Sequence, residues 1–382
     1  MVSISESKHF RVFTDPVTGV KSYVLSTKAA GQQQSFYFVN RAMDEKGRYL
    51  WFYASYPPAT YGVMGVVDFE DDEVRVFPET QRLGGPLVDM ESGECIFGGP
   101  QGFYIKSPKA GKPPVRICQV PKEISRLGSP QSLGTHLTYS PDKTELFVDA
   151  HVNDRFILGT LRLSDGKFTV WKEYDFCRNH AQFNPVDPDL VLMAEDHWND
   201  HVTGQKHSIR YNDKGEFMRL WTITRDGKET LYPPLGGQRA THEWWSRNGK
   251  VIYYCKYKSL EEGNNGITGI NLETGEHKVY APVPAWHAFS SLHDDFFVYD
   301  ENDVFYRGTP SRVGFYNWVT GKQVYIVSQN PALAPRDNPS VYHLDPHPQL
   351  VWGDRYVSYT IAQNGYTEVA LCETEQLLEM TK

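Results

Sequence analysis

Five histidines in this chain keep a fixed distance from the turn that follows them. His136, His180, His242 and His287 each lie seven residues before a turn and His347 lies six, although only 13 of the 382 residues are histidine. Asn40 and Pro86 hold the same place before two further turns. Imidazole titrates near neutrality, so these side chains are suited to moving protons and binding metals. A fold that gathers them would have a site able to take a proton or hold a divalent ion.

Further groups point the same way. The segment HLDPHP places His343, Asp345 and His347 within five residues. With His287 as a neighbour, these imidazole and carboxylate donors suit a divalent transition metal or zinc. The stretch AEDHWNDHVTGQKHSIR carries His197, Trp198 and Arg210, and GGQRATH carries Arg239 three residues before His242. Arginine pairs bidentately with carboxylates. The carboxylates Glu195, Asp196 and Glu243 show no distinctive spacing, and acids in turns are usually solvated.

The elements that must position these groups are strands. One unit, a Gly turn followed by an alternating strand, recurs as DPVTGVKSYVLS, SPKAGKPPVRIC, LSDGKFTVW, NDKGEFMRLW, LETGEHKVY and VTGKQVYIV, with FEDDEVRVF as a Gly-free version. The glycines supply the positive φ of a tight hairpin. A second unit, a turn followed by a nearly continuous apolar run, recurs as MDEKGRYLWFYAS, MESGECIFGG, SPDKTELFVDA, NPVDPDLVLMAED, SRNGKVIYYCKY, LHDDFFVYDEN and VWGDRYVSYTI. The two kinds alternate seven times over 382 residues, about 55 residues per pair, close to a propeller blade. The expectation is an all-β, seven-bladed β-propeller forming a single domain over 1–382. The alternating hairpins fit the outer positions and the apolar runs the inner ones. The N-terminal strand segment should complete the last blade and close the ring, which removes exposed edges. Equivalent positions of all blades then converge on the central channel, and the histidines become spokes of one ring.

Composition excludes several classes. A net charge of −8 without a basic run argues against nucleic acid. No apolar stretch is long enough for a membrane helix. MVSISESKHF has no apolar signal core, so the compartment is left open. The five cysteines form no CxxC pair and read as buried thiols.

THEWWSRNGKVIYY, the PAWHAF stretch around His287 and the DPHP of 345–348 resemble oligogalacturonate lyase, a seven-bladed propeller. That resemblance implies a catalytic role for His242. It also implies manganese bound by His287 and the 345–348 segment, with Asp345 where the family has a histidine; together with the HLDPHP donors the expected site is a divalent metal, manganese or calcium, on His287, His347, His343 and Asp345. The N-terminal stretch, FTDPVTGVKSYVLS and QQQSFYFVNRAMDEKGRYLWFYASYPP, resembles propellers acting on L-rhamnose α-1,4-linked to D-glucuronate in arabinogalactan, a group of rhamnosidases and lyases. The hydrolytic branch relies on a histidine where this chain has Gln32-Gln33-Gln34, which favours lyase chemistry. The expected function is β-elimination at a uronate, first at rhamnosyl-glucuronate caps of arabinogalactan. The alternatives are an oligogalacturonate lyase, an α-L-rhamnosidase and a non-catalytic glycan-binding propeller. β-Elimination needs a neutralised carboxylate, a base and a proton donor. His242 is the expected base, with Arg239, Arg210, His180 and Tyr139 as catalytic partners. His136, His197, Trp198, Trp244 and Gln33 are the expected substrate contacts, although a tryptophan is more often core than sugar platform. The expected partner is a uronic-acid oligosaccharide or polysaccharide, with no nucleic acid, no membrane insertion and a monomeric state. The resemblance implies a periplasmic or secreted setting.

Overall fold

The computed structural model describes residues 1–59, 61–200, 202–257, 265–301, 311–331 and 345–382. His343 lies outside the described residues. Seven antiparallel sheets of four or five strands follow one another along the chain, the seven blades of a β-propeller. The first is built from Gln32–Gln34, Tyr49–Ser55, Gly62–Asp68 and Glu73–Phe77. In the seventh, Gln349–Val351, Tyr356–Gln363 and Tyr366–Glu373 are extended by Lys21–Leu25 and Phe10–Thr14, from the other end of the chain. Ser22 pairs with Cys372 and Val24 with Ala370 in that junction. No helix is long and apolar enough to cross a membrane among the described residues.

A separate strand before each apolar run forms the axial strand of the blade, with His180 and His242 inside theirs, His136 between two short strands, and His287 and His347 just before theirs, so the apolar runs lie second from the axis. This corrects the expectation that the apolar runs are innermost. The reason is burial on both faces. Val251–Tyr257 and Tyr356–Gln363 are packed between neighbouring strands and neighbouring blades, so they read as continuous apolar runs. The axial strands are short and partly polar, such as Arg178–Phe183 with sequence RNHAQF, and carry no strand signature. A second correction concerns NDKGEFMRLW. It belongs to an excursion between the second and third strands of the fourth blade, where Trp198–Asn199 pairs with Lys206–His207. The outer hairpin of that blade turns at Asp226-Gly227 instead. Gly215 and Gly227 both adopt positive φ, so one signal appears twice.

The axial strands aim their histidines by bulging. In the fourth blade the ladder runs from Asn179↔Ala194 to Gln182↔Leu192, leaving His180 and Ala181 out of register. In the fifth it runs from Thr241↔Cys255 to Trp244↔Tyr253, leaving out His242 and Glu243. His180 and His242 sit at φ 54° and 52°, left-handed values costly for a non-glycine residue, and His347 at 46°. A bulge re-aims side chains that a flat ladder would send between the blades. That backbone cost, about 1–3 kcal/mol per residue, is offset by the packing around each blade.

Candidate functional site

Tyr37, in the segment after the first axial strand, is the hub of the channel. Its ring lies 4.8 Å from those of His136 and His347, 5.4 Å from His287 and 6.4 Å from His180 and His242, centre to centre. The five spokes therefore converge as the spacing predicts. Gln349 holds the hub in place by donating to the carbonyls of Phe36, Tyr37 and Asn40 and accepting from the Ala42 amide. Burial, reinforced by the charge of Glu243, pushes the Tyr37 hydroxyl well above the usual phenol range, so it stays protonated. His136 stacks on Tyr37 with its Nδ1 3.3 Å from Asn40, and burial next to His180 keeps it well below the ordinary histidine value.

A charged network supports one side of the hub. Arg219 donates from Nε to Glu243 Oε2 at 2.8 Å and from Nη1 to Asp196 Oδ1 at 3.1 Å. His180 Nδ1 lies 3.3 Å from Glu243 and 3.1 Å from Arg219. Burial alone would raise the Glu243 carboxyl, but the guanidinium outweighs it and holds the group down at about 2. Asp196 is likewise lowered against its burial by Arg219. One guanidinium thus serves the buried Glu243 and the partly exposed Asp196. The His180 amide donates to Thr135 Oγ1, and Thr135 in turn donates its amide to Asp149, which fixes the bulge.

On the other side lie His242, His287, Asp345 and His347. The rings of His242 and His287 are 3.9 Å apart, centre to centre. His242 Nδ1 bonds the Trp286 carbonyl, so this nitrogen carries the proton and Nε2 keeps its lone pair. Burial, with the neighbouring His287, lowers the His242 imidazole well below its ordinary value. His287, Asp345 and His347 offer ligand atoms that all lie within 4.8 Å of one another. Asp300, fully buried in the second strand of the sixth blade, accepts from the His287 amide at 2.8 Å and from His287 Nδ1 at 3.0 Å. It also accepts from the His347 amide at 3.0 Å. A carboxylate on Nδ1–H leaves the Nε2 lone pair of His287 for a ligand, as metal-binding histidines typically have it. The donor set fits a divalent ion.

The other expected residues fall in several places. Arg210 makes a two-point contact with Glu195, at 2.8 Å for each nitrogen, in a neighbouring recess shared with Asp196, Trp198 and His207. Trp198 stacks on His207 with ring centres 4.3 Å apart, and exposed His197 lies beside it. Arg239 is exposed and bonds Tyr211 through Nε at 3.2 Å. Tyr139 packs with the second- and third-blade core, and burial next to Asp89 raises its hydroxyl. Trp244 is core, stacked on Tyr253 and bonded to Ser290. Gln33 is fully buried and accepts from the Ala29 amide. The ring thus gathers His136, His180, His242, His287, His347 and Asp345, but not these seven: Arg210, His197, Trp198, Arg239, Tyr139, Trp244 and Gln33.

Sequence reasoning missed Tyr37, Arg219, Asp300 and Gln349. Asp300 had a usable signal, an acid inside the apolar run FFVYDE. Tyr37 had none, because nothing in QQQSFYFVN sets one aromatic apart.

No known family profile matches the chain, and no curated protein matches it in sequence. Solved structures do. An oligogalacturonate lyase in complex with manganese superposes with a TM-score of 0.74 at 17% identity, covering 95% of this chain and 96% of that one. The oligogalacturonate lyase from Vibrio parahaemolyticus gives 0.73 at 17% identity, again over 95% and 96% of the two chains. A puromycin hydrolase gives 0.61 at 12% identity over 91% of this chain and 53% of its own. At these identities the likeness establishes the seven-bladed propeller fold.

Proposed function

We propose that this protein is a lyase that cleaves uronate-containing oligosaccharides by β-elimination. The observation that carries the reading is the placement of His242, its Nε2 free, against the donor cluster of His287, Asp345 and His347, with protonated Tyr37 beside both. In a 4-linked uronate the proton to be removed lies on C5, next to the carboxylate. His287, Asp345 and His347 would hold a divalent ion, which supplies positive charge to that carboxylate and acidifies the C5 proton. His242 Nε2 takes the proton, a C4=C5 double bond forms, and the C4–O bond breaks. The departing glycosidic oxygen takes the Tyr37 hydroxyl proton. No water enters the products. The Arg219–Glu243–Asp196 network keeps His180 and the neighbouring wall in register, so these groups act as positioning residues.

The likeness to oligogalacturonate lyases supports galacturonate oligomers as the substrate class. Rhamnosyl-glucuronate is the second candidate, supported by the N-terminal sequence resemblance, and the same chemistry would act on it. Purified protein is offered oligogalacturonate or gum arabic arabinogalactan, each with and without chelator. The expected result is chelator-sensitive absorbance of an unsaturated uronate, lost in His242→Ala. Rhamnose released without absorbance would mean hydrolysis, and silence with every substrate would leave a glycan-binding propeller.

A further inference from the structure

The channel opens into a cavity of about 550 Å³ lined by Gln34, Tyr53, Arg82, His136, His180 and His347, among others. This is within the ordinary range of ligand pockets, about 300–1,000 Å³. Arg82 lines this cavity, and Arg219 stands behind its His180 wall. Arg219 is consumed by Glu243 and Asp196, whereas Arg82 has no carboxylate within ion-pair distance among the described residues. The Arg82 guanidinium lies 3.8 Å over the Tyr53 ring and donates from Nη1 to the Gly84 carbonyl at 2.9 Å. Its Nε is buried and has no hydrogen-bond partner among the described residues.

The side chain is held rigidly. A Cβ on Gly84 would lie 2.0 Å from the Gly134 carbonyl, and one on Gly85 2.3 Å from that of Thr135. The loop carrying Arg82 is therefore pressed against the next blade, and its anchoring carbonyl cannot drift. A guanidinium stacked on an aromatic face and tied at one nitrogen loses little freedom when it binds a planar anion.

Arg82 belongs to the start of the second blade. The candidate metal ligands belong to the seventh and sixth, two and three blades round the ring. One carboxylate held at His287, Asp345 and His347 would leave Arg82 facing a different part of the ligand. We propose that Arg82 forms a second carboxylate subsite, which reads an acidic sugar adjacent to the one that reacts. The inference rests on the lyase reading and adds to it a residue that selects contiguous uronates.

The test uses wild type, Arg82→Met and Arg82→Lys with two substrates, digalacturonate and the same dimer methyl-esterified on the sugar that does not react. Losing a charge-assisted, two-point contact costs about 10- to 100-fold in affinity. Arg82→Met should therefore raise KM for digalacturonate by that factor with kcat retained, Arg82→Lys should recover part of it, and the ester should be unaffected. Equal loss on both substrates, or no loss on digalacturonate, overturns the subsite. If wild type eliminates neither substrate, the lyase reading falls and calorimetry decides Arg82 separately. A 10- to 100-fold weaker Kd of Arg82→Met for digalacturonate, absent for the ester, sustains the subsite, and equal affinities refute it.

Discussion

Asp300→Asn isolates the support of the donor cluster from the cluster itself. Asp300 is not itself one of the candidate ligands, yet it accepts from the His287 amide, His287 Nδ1 and the His347 amide. Asparagine keeps the shape but offers one acceptor oxygen to three donors. Its amide N–H₂ facing Nδ1 would favour the opposite tautomer of His287, with the proton on Nε2, where a ligand needs a lone pair. Loss of such a partner costs about 10- to 100-fold in metal affinity, or about 1.4–2.7 kcal/mol. Calorimetric titration of metal-stripped protein with Mn²⁺ reads this directly, and thermal unfolding reports whether the fold survives. The expected result is weaker Mn²⁺ binding by that factor in a variant that still melts cooperatively. Unchanged Mn²⁺ affinity in a folded variant would refute the positioning role. The absence of any Mn²⁺ heat with wild type would refute the metal centre.

Other perturbations separate the remaining roles. Arg219→Met leaves the buried Glu243 without its counter-charge, so denaturant unfolding should show a loss of about 3–5 kcal/mol; wild-type stability would mean that the network is solvated. Tyr37→Phe should lower kcat about 10²- to 10⁴-fold without unfolding the ring, and an unchanged kcat would remove Tyr37 as proton donor. His136 is held neutral, its value pushed down by burial, so below the ordinary pH 6.5 the unfolded chain takes up a proton that the folded chain refuses. Stability should then fall as the pH drops below 6.5, by up to about 1.4 kcal/mol per pH unit from this group, and His136→Gln should show a shallower slope. The Glu243 contribution has the depressed-carboxylate sign, present above pH 4.5 and lost as the pH falls towards about 2. Gly85→Ala forces a Cβ to within 2.3 Å of a backbone carbonyl and should destabilise by about 1–3 kcal/mol; a neutral outcome would show that the loop can move.

The legible parts of the sequence were those with a period. Strands covered on both sides, such as LVLMAE and YVSYTIAQ, read as apolar runs, and turns at Gly249 or Gly321 read as turns because their φ is positive. The phase of the histidines against those turns survived because each blade repeats the same path from axis to turn. What could not be read has no such repeat. Arg219 reaches Glu243 across 24 residues and Asp300 reaches His347 across 47, by contacts between blades that no local pattern encodes. The apolar runs read as one place too close to the axis, because a short bulged strand such as RNHAQF has no two-residue alternation and carries no strand signal of its own. Arg210 looked free in sequence and is paired with Glu195, since only the fold brings that acid within 2.8 Å.

The convergence on Tyr37 bears on how the chain comes to be active. Every spoke comes from a different part of the ring, and the hub segment is tied to the last spoke by the Ser35 hydroxyl bonding the Pro346 carbonyl 311 residues away. Contacts so distant along the chain form late, after the loop entropy between them has been lost. The blades can each assemble locally, but the site does not exist in any one of them. A half-translated chain, a proteolytic fragment or a ring missing a blade would hold well-formed sheets and no reaction centre. Turnover by the proposed chemistry therefore reports on completion of the ring rather than on folded secondary structure, and refolding followed by activity should lag behind refolding followed by backbone signal.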